Sequence, residues 1–372
     1  MDKTYTDLDP TPRLLLGPGP SMVHPRVLRV MATPLVGHLD PDFLVVMAEV
    51  KDLLRYVFQT ENELTLAVPG TGTSAMEAAL SNLLEPQDRM LVCINGYFGD
   101  RLADMGTRYG AQVERLKRPW GEVFDPDEID SALQDKPAKV VALVHAETST
   151  GALQPNIGAI AEVCHRHGGL LVLDCVTSLG GIPVEIDAWG VDIAYCAAQK
   201  ALSSTPGMSP ITVSPRAREI IGQRGSKPPV FYLDLTLLEK YWSDKPSYHH
   251  TAPISATYAL REALRLVYEE GLTARFARHR TNAESLWKGL EALDLPLFIP
   301  NELRLTTLTT PRLPKDLDDI GLRRTLLEEF NIEIAGGFGP LAGQVWRIGL
   351  MGHSSQRENV TLLLGALDAL LQ

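Results

Sequence analysis

From about residue 64 to residue 215, short apolar runs alternate with stretches whose apolar residues recur every three to four positions. Parallel strands are buried on both faces and joined by crossover helices, so this alternation predicts β-α repeats around a mostly parallel sheet. The strand runs are Leu64 to Val68, Met90 to Ile94, Lys139 to Val144, Gly169 to Asp174, Asp192 to Ala197 and Pro210 to Val213. Ser74 to Leu84 carries Met76, Ala79, Leu80 and Leu83 at helical spacing, with Pro86 as a stop. Asn156 to His167 repeats that pattern and closes on Gly168-Gly169, as a helix C-terminus should.

After Pro253 the period lengthens. Leu260, Leu264 and Val267 share one face of a helix over Ala256 to Glu270, and a second helix is expected over Arg275 to Leu293. Beyond it, strand-like runs at Arg304 to Thr310 and Val345 to Leu350 mix with helices starting near Lys315 and Ser355, where Ser355 and Glu358 fit a capping box. The expected organisation is an N-terminal arm over residues 1–21, a large domain over 22–270 and a smaller α+β domain over 271–372.

At 372 residues, with 45% hydrophobic and 22% charged positions, the chain is long enough for two packed domains. A net charge of -11 argues against a nucleic-acid surface or a contact with anionic lipid, either of which needs clustered Lys and Arg. No stretch approaches the roughly 18 apolar residues of a membrane span. The four cysteines, Cys93, Cys164, Cys175 and Cys196, lack C-x-x-C spacing and read as reduced and structural. With no signal-peptide pattern at Met1 to Asp7 and no peroxisomal tripeptide at the end, the cytoplasm is the expected compartment.

Three charged residues in apolar settings carry the candidate chemistry. Asp174 ends an almost wholly apolar strand, where a lone carboxylate needs a cation or several donors; an N-cap is the plain alternative. Lys200 follows among small residues in Cys196-Ala197-Ala198-Gln199-Lys200-Ala201. A lysine amine and a buried acid are what pyridoxal 5′-phosphate chemistry needs, one to hold the aldehyde as a Schiff base and the other to keep the pyridine nitrogen protonated. Upstream, Val68-Pro69-Gly70-Thr71-Gly72-Thr73-Ser74 reads as a phosphate cup between strand and helix. Gly70-x-Gly72-x-x-Ala75 also fits a loose dinucleotide fingerprint, but the next strand ends in Asn95-Gly96 rather than an acid. Arg347, in Val345-Trp346-Arg347-Ile348-Gly349-Leu350, is suited to bidentate binding of an α-carboxylate, with an internal salt bridge as the alternative. His165-x-His167 beside Cys164 lacks the i, i+4 spacing of helical zinc ligands, so no metal site is expected.

Together these blocks resemble the alanine–glyoxylate/serine–pyruvate aminotransferase family, class V aminotransferases of the fold-type I pyridoxal-phosphate architecture. The resemblance runs from Leu16-Gly17-Pro18-Gly19-Pro20-Ser21 through Tyr56-Val57-Phe58-Gln59-Thr60, Glu147-Thr148-Ser149-Thr150-Gly151 and Gln199-Lys200-Ala201-Leu202. It continues through Tyr248-His249-His250-Thr251, Gly336-Gly337-Phe338-Gly339-Pro340 and Arg347-Ile348-Gly349-Leu350-Met351-Gly352.

The resemblance implies an α/β fold with a mostly parallel seven-stranded sheet in the large domain. It implies that Lys200 forms the Schiff base, Asp174 pairs with the pyridine nitrogen and Val176 lies against the ring. Thr71, Gly72 and Gln199 would bind the phosphate, Thr73 and Thr148 would add cofactor contacts, and Tyr248 and Thr251 would reach in from the other subunit of a homodimer whose arm, residues 1–21, forms part of the contact. Arg347 matches the substrate-carboxylate arginine, and Gly37 beside His38 would lie at the substrate mouth. Phe98 stands where animal members carry a stacking tryptophan, while Thr73 replaces a histidine and Thr71 a serine, so the cofactor chemistry is expected to persist and substrate preference to be open. The implied activity is ping-pong transamination of alanine or serine with glyoxylate or pyruvate, through a pyridoxamine form. The alternatives are another class V activity such as a cysteine desulfurase or a lyase, an NAD-dependent oxidoreductase, or a non-catalytic binding protein. A desulfurase needs a mobile cysteine in the C-terminal half, and all four cysteines precede Lys200.

Overall fold

A computed structural model describes residues 5–371. Its centre is a sheet of seven strands: β1 (Leu64–Gly70), β2 (Arg89–Ile94), β3 (Gln112–Lys117), β4 (Val140–Val144), β5 (Leu170–Asp174), β6 (Ile193–Tyr195) and β7 (Gly207–Val213), in the spatial order β1-β7-β6-β5-β4-β2-β3. Only β7 runs antiparallel to its neighbours. The buried strands are near-continuous apolar runs, as two-sided burial demands. Sequence periodicity missed β3. It is the sheet edge, and its alternating polar face in Gln112-Val113-Glu114-Arg115-Leu116-Lys117 looks to solvent.

Helices α1 (Pro41–Phe58), α2 (Gly72–Leu83), α3 (Tyr97–Arg108), α4 (Ile157–Arg166), α5 (Ile254–Glu270), α6 (Leu272–Ala292) and α7 (Arg357–Leu371) accompany the sheet or extend beyond it. Phe43, Leu54 and Phe58 of α1 and Leu80 and Leu83 of α2 share one apolar core with the central strands. Helix α2 begins two residues earlier than its apolar period indicates, because Thr71 takes the N-cap position; the Ser74 hydroxyl turns back to donate to the Thr71 carbonyl at 2.7 Å. The capping box expected at Ser355 does not form. The Ser355 hydroxyl instead accepts from Asn282 Nδ2 at 3.2 Å, and α7 starts at Arg357.

A second apolar core holds Leu286 and Leu290 of α6, Leu326, Trp346, Ile348, and Leu363 and Leu367 of α7. Beside it lie three short strands, β8 (Leu308–Thr309), β9 (Ala335–Gly336) and β10 (Trp346–Gly349), with β10 in the middle. The run Arg304 to Thr310 is strand only over its two residues of β8. Two of its threonines bond to backbone instead of extending a ladder, Thr307 to the Thr177 carbonyl and Thr310 to the Thr150 carbonyl, each at 2.8 Å.

The N-terminal segment ties both cores together. Leu14–Leu15 pairs in parallel with Ile332–Glu333, the Leu16 carbonyl accepts from Gly349 N–H at 2.7 Å, and Leu16 is fully buried in the second core. Further on, the Ser21 hydroxyl donates to the Lys200 carbonyl at 2.7 Å. We predict that Leu16→Ala lowers stability by about 2–5 kcal/mol, the usual cost of emptying a packed leucine site. A urea midpoint equal to that of the parent protein would show that this segment adds no packing.

Candidate active site

Five sheet strands end at one edge, and the turns that follow them carry the candidate residues, which is where open α/β sheets bind ligands. Strand β5 ends on Asp174, which is 2% exposed and register-paired with Tyr195 on β6. Asp174 Oδ1 accepts the Val176 N–H at 2.9 Å and Oδ2 accepts the Tyr195 hydroxyl at 2.9 Å. Burial pushes this carboxyl up to about 6, and the two donors together with the charges of Lys200 and Arg101 oppose that rise. The bonds fix the carboxylate without neutralising it, so a protonated ring nitrogen supplies the cation that its setting lacks.

Lys200 lies in the turn after β6, half-buried, and its amine donates to the Pro18 carbonyl. Burial and the Arg347 charge bring this amine down to about 8, against the attraction of Asp174. The N-terminal segment passes so close that a Cβ on Gly19 would lie 2.7 Å from Lys200 Nζ, and Gly19 also holds φ +114, a backbone shape that favours glycine.

The cup at the start of α2 is formed as expected. Thr71 caps the helix with its backbone and its hydroxyl makes no cap bond; the Ser74 N–H donates to the Thr71 carbonyl at 2.7 Å, while those of Gly72 and Thr73 have no acceptor among the described residues, an arrangement suited to a phosphate. Thr73 accepts from Arg101 Nη1 at 3.1 Å. Val176 Cγ2 comes within 3.1 Å of where a Cβ on Gly72 would stand, which places Val176 between cup and acid. Gln199 Oε1 is buried with no hydrogen-bond partner among the described residues; this oxygen can only accept, so the donor that the side chain can offer a phosphate is its amide Nε2. Phe98, in the first turn of α3, has the Arg101 guanidinium 5.0 Å from its ring centre. The buried Thr148 hydroxyl pairs with that of Thr177.

Arg347 on β10 is 5% exposed. Its Nε donates to the Gly336 carbonyl at 2.8 Å, and its guanidinium sits 3.9 Å from the centre of the Phe338 ring. Among the described residues no carboxylate is in ion-pair range, so the internal salt bridge left open by the sequence is absent and both terminal nitrogens remain for a ligand. Burial lowers its proton affinity to about 10, with the Glu147 charge opposing and Arg323 reinforcing the fall.

Three candidates lie elsewhere in the chain. Tyr248 is 62% exposed with its ring 5.3 Å from that of His38, and Thr251 and Gly37 are exposed in the same region. None of them makes a contact with Lys200, Asp174 or Arg347 within this chain. In return, the structure adds residues that spacing did not single out: Tyr195 against Asp174, Arg101 against Thr73 and Phe98, and Glu147, a wholly buried acid. Glu147 follows β4 in the polar run His145-Ala146-Glu147-Thr148-Ser149-Thr150, so no local pattern marked it as buried.

The amine, the acid, the helix start at Thr71 and Gly72 and the open guanidinium fit pyridoxal phosphate and a carboxylate-bearing substrate. Residues 16–361 match the family described as Aminotransferase class-V. An alanine–glyoxylate aminotransferase from Nostoc sp. has a similar structure, with TM-score 0.98 and 52% identity over 100% of this chain and 98% of that one. The alanine–glyoxylate aminotransferase of Oryctolagus cuniculus is 44% identical over 97% of this chain and 93% of its own length. The (S)-ureidoglycine–glyoxylate transaminase of Bacillus subtilis is 42% identical over 96% and 90%. By this match over nearly its whole length, the chain belongs to the class V aminotransferase family, whose enzymes depend on pyridoxal phosphate.

Proposed function

We propose that this aminotransferase moves the amino group of a small amino acid, alanine or serine, to glyoxylate or pyruvate in ping-pong order, the first keto acid leaving before the acceptor enters. The observation that carries this reading is Arg347: a buried guanidinium with two uncommitted nitrogens, close enough to Lys200 to depress its amine. The names of the relatives in Oryctolagus cuniculus and Nostoc sp. support alanine and glyoxylate.

Bound pyridoxal phosphate supplies an aldehyde that exchanges amines and a ring that accepts the electrons released when a Cα–H bond breaks. The chain's own residues do the rest. Asp174 holds the ring-nitrogen proton, fixed by Val176 and Tyr195. Arg347 grips the substrate carboxylate with its planar fork and so orients the Cα–H bond. The Lys200 amine, brought near neutrality by burial, moves the Cα proton. Phe98 would cover the ring face, and the cup at Thr71 and Gly72, with the amide Nε2 of Gln199 as a further donor, would hold the phosphate.

The protein is proposed to act as a homodimer, with Tyr248 and Thr251 completing the partner's phosphate site and the N-terminal arm joining the contact. Both residues are exposed and make no hydrogen bond to Lys200 within the chain, which supports this. Four buried, unpaired cysteines fit a reducing compartment such as the cytoplasm. A desulfurase lacks its nucleophile here, since every cysteine is buried and burial raises each thiol.

Lys200→Ala is expected to remove the visible absorbance of the bound cofactor and to cut turnover at least about 10²- to 10⁴-fold, the range for a proton-transfer group; retention of both would take Lys200 out of the reaction. Arg347→Ala is expected to cost about 2–5 kcal/mol in kcat/KM for alanine, and Arg347→Lys to recover only part because it lacks the fork. An unchanged kcat/KM would contradict the carboxylate assignment. For protein freed of cofactor, the rate of cofactor capture should rise with pH through about 8, since only the neutral Lys200 amine attacks an aldehyde. Arg347→Ala removes a positive neighbour, raises the amine's proton affinity and moves that rise to higher pH. A stopped-flow profile that does not move would show the two groups to be uncoupled.

A further inference from the structure

The mechanism leaves one fully buried acid without a task. Glu147 is 0% exposed, beside the cofactor site rather than in the core proper. Its Oε1 accepts the Ser149 hydroxyl at 2.6 Å and the Ser149 N–H at 3.0 Å, while Oε2 is buried and has no hydrogen-bond partner. Burying a carboxyl this way is costly unless it holds something in place.

What it holds is the start of α3. The Ser149 hydroxyl that donates to Glu147 also accepts the N–H of Tyr97, the first residue of α3, at 3.0 Å. Burial pushes the Glu147 carboxyl up to about 7, and the two Ser149 bonds, with the facing N–H of Phe98, oppose that rise. Gly96, the N-cap of α3, has no side chain to offer these donors. A Cβ on Gly96 would fall inside the Glu147 carboxyl and 2.6 Å from the Ser149 hydroxyl, so only glycine lets the acid come this close. The opening N–H groups of a helix need acceptors, and negative charge is stabilising there. Here both come from a strand-end turn some fifty residues further along the chain. Glu147 faces Asp174 and Arg347 as well; Asp174 raises its proton affinity after burial, and its own charge acts back on Arg347.

We propose that Glu147 is a positioning residue: acting through Ser149, its carboxyl caps α3 and so sets the height and tilt of Phe98 over the cofactor ring. The inference rests on the reading of Phe98 as the ring-stacking side chain. No atom of Glu147 takes part in the reaction itself. Its effect passes through one hydroxyl and the first turn of a helix.

The experiment is a double-mutant cycle on cofactor affinity and on the visible circular dichroism of the bound cofactor, which reports the asymmetry of the ring's surroundings rather than turnover. Ser149→Ala is expected to weaken cofactor binding by about tenfold, the loss of one hydrogen bond to a charged group, and to reduce the dichroic band. Phe98→Ala should do the same, and the double variant should be no worse than Phe98→Ala alone, because both changes break one linkage. Glu147→Gln keeps an acceptor for Ser149 and is expected to stay within about threefold of the parent, whereas Glu147→Ala is not. Full affinity in Ser149→Ala, or additive losses in the double variant, overturns the proposal while leaving the stacking reading intact. Full affinity in Phe98→Ala overturns the stacking reading, and the proposal with it. Thermal midpoints of the cofactor-free variants separate a folding defect from a binding one.

Discussion

Charge taken out of water must find partners, and at the carboxyl edge of this sheet the protein supplies each charged group with fewer than it needs. Asp174 receives two neutral donors, the Val176 N–H and the Tyr195 hydroxyl, which fix its orientation without cancelling its charge. Arg347 spends one nitrogen on the Gly336 carbonyl, and Lys200 has one carbonyl, that of Pro18. Each group is held in place yet left with bonding capacity pointing outward. A ligand carrying an anion at one end, a protonated ring nitrogen and a carboxylate at the other satisfies the whole set at once, and this ties cofactor binding and substrate binding to a single electrostatic arrangement.

That arrangement works only on rigid supports. Asp174 and Tyr195 keep their register because β5 and β6 are neighbours in the middle of the sheet, covered on both faces by the main core. Arg347 stands on the central strand of the smaller sheet, backed by Trp346, whose indole N–H donates to Asp319 at 2.7 Å. The side chains that approach from turns and helix starts are the ones that need extra ties. Glu147 and Ser149 serve Phe98 in this way, and the Thr148–Thr177 pair continues to the Thr177 carbonyl, which accepts from Thr307.

Much of this was legible in the chain itself. Apolar runs marked the buried strands, since two-sided burial leaves no place for polar alternation, and Asp174, Lys200 and Arg347 stood out as charges in apolar or small-residue surroundings. The failures have physical causes. Edge strand β3 is polar on its solvent face and so carries no apolar run, and Arg304 to Thr310 has the composition of a strand while Thr307 and Thr310 spend their hydroxyls on distant carbonyls. Ser355 has the sequence of a cap and a different partner in Asn282. Tyr195, Arg101 and Glu147 gain their importance from contacts between distant positions, which no local pattern encodes.

The path of the N-terminal segment bears on how the site is completed. Leu14 and Leu15 find their strand partners at Ile332 and Glu333, and Leu16 meets Gly349, so the segment that passes Lys200 is anchored by residues distant in the chain. Since Pro18 and Gly19 are what press against the Lys200 amine, closing the lysine pocket depends on the second core having formed around Leu16, and an unfolding event in that core alone would uncover the amine while the seven-stranded sheet stays intact.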